Sequence, residues 1–256
     1  MNETNADAVS LTNELSDLDV SNVYLYVGDA VRYDYAPDPL FDLGCTVKTI
    51  ASSTHSPTSF ASLSTGNYPP SHGVETFTDQ IHPDVPQLFD LFEGDTGFIN
   101  SIFAYATPEH GETQDPIFSV LDREPSEQVS LNQANTPFLV MERGPGGHAP
   151  YGEYDGSASD YFRQRGSAPQ SRYRDDYRRS IDLDFELFRK RYETLKERGL
   201  FQDTLVIYAS DHGELLGEHG LLGHNAPMCP ELVYVPSTFI HPHISEGNVR
   251  KAAIHH

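Results

Sequence analysis

The segment Val23-Tyr-Leu-Tyr-Val-Gly-Asp29 decides how this chain folds. Its apolar part consists of residue types that favour β-strands, and it ends abruptly at a glycine and a carboxylate. A short, continuous apolar run of this kind is typical of a strand that is buried on both faces of a parallel sheet. We therefore predict a buried strand over 23–27 that brings Asp29 to its carboxyl end.

Similar apolar runs follow later in the chain, at 98–106, 137–141 and 204–209. Helical patterns alternate with them, at 57–65, 86–93 and 170–198. The last is the clearest, because apolar side chains recur every three or four residues before Gly199. A long loop rich in Gly, Pro and Ser is predicted over 142–172. Strands that alternate with helices predict an α/β fold with a mainly parallel central sheet flanked by helices.

The composition limits the partners that this protein can have. The chain has 256 residues, with 38 Asp and Glu against 17 Lys and Arg, which gives a formal charge of −21. Nucleic acids and anionic membranes bind clustered Lys and Arg, so both are excluded as partners. The charge fits a halophilic protein in a cytoplasm of high salt, or an ordinary acidic protein. The oligomeric state stays open.

No apolar run reaches the roughly 20 residues that span a bilayer, and the N-terminus lacks the pattern of a signal peptide. We therefore expect a cytoplasmic protein.

Cys45 and Cys229 form neither a disulfide framework nor a thiolate zinc knuckle. Residues 1–20 are acidic and are predicted to be a tail or a loosely docked segment, and 21–256 form the folded domain.

Polar side chains recur where the predicted strands end. Asp29 follows the first strand, His148 lies shortly after the third, and Asp211 and His212 directly follow the last. In an open α/β sheet, ligands bind at the carboxyl ends of the strands. We expect the functional site at this edge, although a lone Asp29 is also typical of a helix cap.

A serine lies at the predicted start of the helix over 57–65. Ser56 precedes Pro57, which is the pattern of an N-cap followed by a proline in the first helical position, and Gly66 closes the helix. The hydroxyl would then lie at the positive end of the helix dipole, where anions bind. The alternative is that Ser56 acts only as a cap.

A glycine-rich loop follows the last predicted strand, in Ser210-Asp-His-Gly-Glu-Leu-Leu-Gly-Glu-His-Gly-Leu-Leu-Gly-His224. Asp211 and His212 begin it, and His219 and His224 lie further along. Carboxylates and imidazoles are ligands that divalent metals take, and histidines in such a loop are seldom needed for packing. This segment predicts a metal site or a site for a substrate anion.

Taken together, the ordered motifs SPTSFASLSTG at 56–66, HAPY at 148–151 and SDHGELLGEHG at 210–220 resemble the sulfatase branch of the alkaline phosphatase superfamily. The segments at 65–73 and 231–236 also resemble stretches of that family, so the similarity covers most of 22–240. It implies an alkaline phosphatase-like α/β sandwich.

The resemblance also implies roles for the candidate residues. Asp29, Asp211 and His212 would hold a divalent cation, whether Ca²⁺, Mg²⁺, Mn²⁺ or Zn²⁺, and Ser56 would be the nucleophile beside it. Such a cation lowers the pKa of the serine hydroxyl and neutralises oxygens of the transferred group.

Two histidines complete the implied site. His148 and His224 would contact the transferred group or protonate the leaving oxygen. They could instead form a second metal position, with Glu153 and Asp155 near enough in sequence to join it.

The sequence departs from the sulfatase pattern at several positions. Thr58 and Phe60 stand where the motif for conversion to formylglycine has Pro and Arg, which argues against that modification of Ser56. Ala30 replaces the second Asp of the usual pair, and His212 replaces an Asn. The resulting ligand set is closer to the phosphatases and phosphodiesterases, which use an unmodified Ser or Thr.

These observations predict a metal-dependent hydrolase of sulfuric or phosphoric esters, acting on a small-molecule or glycan substrate. The alternatives are a phosphodiesterase, phosphatase or phosphotransferase of the same superfamily, and a degenerate, non-catalytic member. The sequence ends soon after Val235-Pro236, so we expect the domain to lack the usual C-terminal subdomain.

Overall fold

A seven-stranded sheet forms the centre of the computed structural model, which describes residues 11–102, 115–165 and 168–255. The strands of this sheet are β1 Asn22–Gly28, β2 Cys45–Ile50, β3 Asp95–Asn100, β4 Phe138–Gly144, β5 Thr204–Ser210, β8 Tyr234–Ile240 and β9 Gly247–His255. A separate hairpin consists of β6 Leu215–Leu216 and β7 Leu222–Gly223. The spatial order in the large sheet is β3-β4-β1-β5-β8-β2-β9.

The sheet is mainly parallel, as predicted. The strands β3, β4, β1 and β5 pair in parallel, and β2 pairs in parallel with β9. Within the described chain, only β8 runs against its neighbours β5 and β2. Gly28 lies in register with Gly144 and with Ser210, so the carboxyl ends of β1, β4 and β5 coincide. Whatever follows these three strands meets at one edge.

Helices cover both faces of the sheet. They are α1 Asp38–Phe41, α2 Ser56–Thr65, α3 Pro69–His72, α4 Leu88–Leu91, α5 Ile117–Val120, α6 Ala158–Arg165, α7 Gln170–Glu197 and α8 Pro230–Val233. Residues 11–16 are also helical, and Leu11 packs against Cys45 and Val47 of β2. This part of the N-terminal segment is therefore docked on the domain.

The core is divided by the sheet because successive side chains of a strand point to opposite faces. Tyr24 and Tyr26 of β1 pack with Phe188 of α7 on one face. Leu25 and Val27 of the same strand lie in the cluster on the other face, which contains residues of α2. Burial on both faces explains the continuous apolar run from which the fold was predicted.

The structure changes several predicted boundaries. The strand predicted over 98–106 is β3, which begins earlier at Asp95, and 103–106 lie outside the described residues. The helix predicted over 86–93 is the single turn α4. The predicted loop over 142–172 contains helix α6, where Ser157 and Asp160 exchange hydrogen bonds at the start of the helix. Gly199 follows α7 with φ of +69°, as expected for the residue after a helix.

Among the residues that the structure describes, none belongs to a helix that is both long and apolar enough to cross a membrane.

Candidate active site

The polar residues predicted at the strand ends come together at the carboxyl edge of the sheet. Asp29 directly follows β1, and Asp211 and His212 directly follow β5. All three side chains are fully buried. One ligand atom from each lies within 4.8 Å of the others. The register of β1 with β5 produces this arrangement, since it aligns the last residues of the two strands.

Ser56 lies directly beside this cluster. Its Oγ is 3.1 Å from Nε2 of His212 and 3.4 Å from Oδ2 of Asp29. The prediction that Ser56 is the N-cap of α2 is wrong by one position, because His55 is the N-cap and Ser56 is the first helical residue. The Ser56 hydroxyl bonds to residues of the cluster instead of to the backbone of its own helix. Pro57 is therefore the second helical residue instead of the first, and Gly66 closes α2 as predicted.

Two carboxylate oxygens in the cluster lack a hydrogen-bond donor within the described part of the chain: Oδ1 of Asp29 and Oδ2 of Asp211. Burial of an ionised oxygen without a partner is costly, and a cation would remove that cost. The other oxygen of Asp211 is occupied, since it accepts hydrogen bonds of 2.9 Å from the amides of Ala30 and His212. The donor set of two carboxylates and one imidazole fits a divalent cation.

The electrostatics of the cluster agree with a cation site. Burial would raise the pKa of Asp29, but the charge of Arg143 together with those of His148, His212 and His224 outweighs burial and holds this pKa well below its ordinary value. Burial and the charge of Asp29 raise the pKa of Asp211. Burial lowers the pKa of His212 to about 3, so its imidazole is neutral. The His212 Nδ1 lies 2.9 Å from the carbonyl of Gly213, so Nδ1 carries the proton and Nε2, which faces Ser56 Oγ, keeps the lone pair that a ligand needs.

Arg143 is a site residue that the sequence analysis missed. It is the penultimate residue of β4, and its Nε lies 3.0 Å from Oδ2 of Asp29, to which Nη2 also donates. Its Nη1 donates to both oxygens of Asp115, at 2.8 and 2.9 Å, and Nη2 lies 3.4 Å from Ser56 Oγ. The guanidinium also lies over the ring of Phe60, 5.6 Å from its centroid. The sequence did contain a signal for Arg143, because Glu142 and Arg143 are two charged residues inside a buried strand.

His224 occupies the other side of the cluster. Its ring centroid lies 4.4 Å from that of His212 and 5.7 Å from that of His148. Its Nδ1 lies 2.8 Å from Oε2 of Glu214, and Tyr151 donates to the other oxygen of Glu214. Burial opposes protonation of His224, but the hydrogen bond and charge of Glu214 raise its pKa to about 9. Glu214 and Tyr151 were not predicted as site residues.

Glu153 and Asp155 were predicted as possible ligands of a second metal position. Glu153 pairs with Arg179 at 2.8 Å and is largely exposed. Of the described residues, His212, Glu214 and His224 form a further group of potential metal ligands, and neither Glu153 nor Asp155 belongs to any such group.

Close backbone packing holds Asp29 in place. The amide of Gly147 donates to the carbonyl of Asp29 at 2.7 Å, and a Cβ on Gly146 would collide with that carbonyl at 1.8 Å. Ala30 follows with φ of +56°, a conformation that is rare for residues other than glycine. Its amide and carbonyl are both held, by Asp211 and by the Tyr177 hydroxyl. Backbone strain of this kind is concentrated at functional sites.

This sheet and its polar edge define an alkaline phosphatase-like α/β fold. Among solved structures, the chain resembles the phosphonate monoester hydrolase of Agrobacterium radiobacter, with a TM-score of 0.63, 17% identity, and coverage of 91% of this chain and 71% of that one. It also resembles the C-terminal periplasmic domain of the phosphoethanolamine transferase EptC from Campylobacter jejuni, with a TM-score of 0.59, 17% identity, and coverage of 87% and 79%.

The chain belongs to the sulfatase family, whose sequence profile matches residues 44–255. It is 36% identical over 236 residues to the low-salt glycan biosynthesis sulfotransferase Agl7 of Haloferax volcanii. That match covers 88% of this chain and 56% of the relative, so the chain spans little more than half the length of this curated protein. The family and the fold predicted from the sequence motifs are thereby confirmed.

Proposed function

We propose that this protein cleaves sulfuric or phosphoric esters by attack of Ser56 beside a divalent cation. The observation that carries the proposal is the position of Ser56 Oγ, 3.1 Å from His212 Nε2 and 3.4 Å from Asp29 Oδ2 in a buried cluster. A serine that acts only as a helix cap accepts hydrogen bonds from the backbone of the first turn. Ser56 makes contacts of a different kind, with two ionisable side chains.

Asp29, Asp211 and His212 would hold the cation. The unpartnered oxygens of the two carboxylates and the unprotonated Nε2 of His212 support this assignment. When bound, a divalent cation supplies positive charge that lowers the pKa of a serine hydroxyl and stabilises the oxygens of the transferred group.

The remaining residues would each assist the exchange of bonds at the sulfur or phosphorus atom. Ser56 would lose its hydroxyl proton to solvent, and its Oγ would then bond to the sulfur or phosphorus atom as the bond from that atom to the ester oxygen breaks. His224 would donate its Nε2 proton to the leaving oxygen, because Glu214 holds its Nδ1. The guanidinium of Arg143, 3.4 Å from Ser56 Oγ, would stabilise negative charge on that oxygen. His148 would contact the transferred group from the same side as His224.

An unmodified serine favours phosphoric esters. Thr58 and Phe60 replace the Pro and Arg of the formylglycine motif, and the structure places the ring of Phe60 against Arg143. Sulfate release in the family usually depends on the formylglycine hydrate, so a serine nucleophile fits phosphoryl transfer better. Intact-mass measurement tests this point, since conversion of Ser56 to formylglycine removes about two mass units.

A second candidate function is transfer of the sulfuryl group to a glycan. The similarity to Agl7, which is named a glycan biosynthesis sulfotransferase, favours this candidate. The residues around Ser56 would serve both reactions, because the second step differs only in whether water or a sugar hydroxyl attacks the serine ester. The substrate would be a small-molecule or glycan ester in either case.

One set of assays tests the proposal. Metal analysis of the purified protein is combined with turnover of an aryl sulfate, a phosphate monoester and a phosphodiester. Turnover in water labelled with a heavy oxygen isotope then distinguishes hydrolysis from transfer. Hydrolysis places the label in the released anion, whereas transfer to a glycan does not. A protein that binds no metal and turns over none of these esters would be the degenerate, non-catalytic member of the family.

The acidic composition supports a proposal about the working environment. With a formal charge of −21, the folded chain repels itself unless cations screen the charge. We infer that the protein is adapted to high salt.

A further inference from the structure

A second group of metal-binding side chains lies outside the site described above. His219 lies in the turn between β6 and β7, Cys229 directly precedes α8, and Glu231 belongs to α8. One ligand atom from each lies within 4.8 Å of the other two. None of the three is shared with the cluster of Asp29, Asp211 and His212.

The spacing of the three side chains is close to that of a zinc site. The His219 Nε2 and the Glu231 Oε2 are 3.8 Å apart. In a tetrahedral site, nitrogen and oxygen ligands at about 2.1 Å from zinc lie about 3.4 Å from each other. A closing movement of a few tenths of an ångström would therefore bring these two atoms to the coordination distance.

The chemistry of the group also fits a cation. The Oε2 atom of Glu231 is buried and, among the described residues, has no hydrogen-bond partner. The side chain of His219 is 62% exposed, which leaves a path by which an ion can enter. Cys229 is a free thiol and is half-buried.

We propose that His219, Cys229 and Glu231 form a metal site for a zinc-like divalent cation, with water in the fourth position. Thiolate, imidazole and carboxylate are the three side-chain ligands that zinc takes. The ion would join the turn of the β6–β7 hairpin to α8.

Such a site would stabilise the hairpin that precedes His224. The amide of Glu214 already donates to the carbonyl of Glu231 at 3.2 Å, and that of Gly213 donates to Leu232 at 2.8 Å. The start of the hairpin is thereby fixed to α8 by the backbone, whereas its turn reaches α8 through His219. A metal at the turn would hold the second end of the hairpin.

The test adds cobalt as the probe to the full chain, after its cysteines have been reduced and any bound metal has been removed. A thiolate ligand produces a sulfur-to-cobalt charge-transfer band in the near ultraviolet. Asp29, Asp211 and His212 contain no sulfur, so cobalt bound to them gives no such band. We expect the band to saturate at about one cobalt per chain. We expect Cys229→Ser to abolish it and His219→Ala to weaken cobalt binding by about tenfold or more.

Two variants serve as controls. Cys45→Ala should keep the band, because Cys45 is buried against Leu11 and Val47, away from the proposed ligands. Asp211→Asn should also keep the band. This variant removes a proposed ligand from the cluster of Asp29, Asp211 and His212, so a retained band shows that the cobalt site does not depend on the proposed activity. The proposal is overturned if wild-type protein shows no band in excess cobalt, if the band persists in Cys229→Ser, or if His219→Ala binds cobalt as tightly as the wild type.

Discussion

The hydroxyl oxygen of Ser56 lies 3.1 Å from Nε2 of His212, although the two residues are 156 positions apart in the chain. Ser56 is held at the start of α2, and His212 follows the central strand β5. The contact therefore depends on the sheet order, which places the carboxyl ends of β5 and β2 at the same edge with only β8 between the two strands. A nucleophile in this position is the basis of the proposed function.

The first prediction concerns Ser56. Replacement by Ala should lower turnover by about three orders of magnitude or more, because the attacking oxygen is lost. The free energy of unfolding should fall by only about 1–3 kcal/mol, because Asp29 and His212 lose a hydrogen-bond partner while the helix keeps its cap. Steady-state kinetics and urea unfolding measure the two effects. Thr54→Ala is the matched control, and Ser56 is not the nucleophile if both variants retain turnover.

The second prediction concerns Arg143, which is buried between Asp29 and Asp115. Arg143→Ala should lower the free energy of unfolding by about 3–5 kcal/mol, because two buried carboxylates lose their counterion. Arg143→Lys should recover part of this loss, since it restores the charge without the paired geometry. Denaturant unfolding in a fixed salt concentration measures both.

An exposed arginine provides the comparison for Arg143. Arg179 pairs with Glu153 at the surface, so Arg179→Ala should cost only about 0–1 kcal/mol. Equal losses at the two positions would contradict the role of Arg143 as a buried counterion.

The third prediction concerns the pH dependence of stability. Asp184 is fully buried and accepts hydrogen bonds from Tyr26, Tyr208 and the amide of Gly146. Burial raises its pKa to about 6. The native state therefore holds this proton more tightly than the unfolded state, whose value is about 3.9. Its contribution is fully present below about pH 4 and is lost as the pH rises through about 6.

Asp184→Asn tests this assignment. The variant cannot ionise, so the wild type should lose about 3 kcal/mol relative to it between about pH 4 and pH 7. Urea unfolding of both proteins across this range gives the difference. A difference that does not change with pH would show that Asp184 titrates normally.

The fourth prediction concerns removal of metal. A chelator should abolish turnover and lower the melting temperature, because Asp29 and Asp211 then repel each other in a buried site. Asp211→Asn should be more stable than the wild type by about 1–3 kcal/mol when both are metal-free. The same variant should gain less stability from added metal. Calorimetry with and without metal measures these effects, and a wild type indifferent to the chelator would argue against the site.

The fifth prediction concerns salt. If the charge of −21 reflects adaptation to high salt, dialysis into dilute buffer should unfold the protein, and added salt should restore it. Circular dichroism as a function of KCl concentration measures the transition. Full structure at low ionic strength would identify an ordinary acidic protein.

The sequence by itself determined the elements whose pattern is local. The apolar run over 23–27 predicted β1 because a strand covered on both faces needs continuous apolar residues. The periodicity over 170–198 predicted α7 almost to the residue, since its apolar face and Gly199 are both encoded nearby. The order of motifs also identified the family. The roles of Ser56, His148, His224 and the three proposed ligands stay predictions, which the structure supports by bringing these residues together.

Only the tertiary structure decided which charges meet. Arg143, Asp115 and Asp29 come from distant parts of the chain and form one buried network, and Glu214 acquires its role from its contact with His224. A local pattern contains no information on such pairs, because a buried charge is tolerated only when a partner from elsewhere in the chain compensates it. The partner is fixed by strand order and register, and these result from packing of the whole domain.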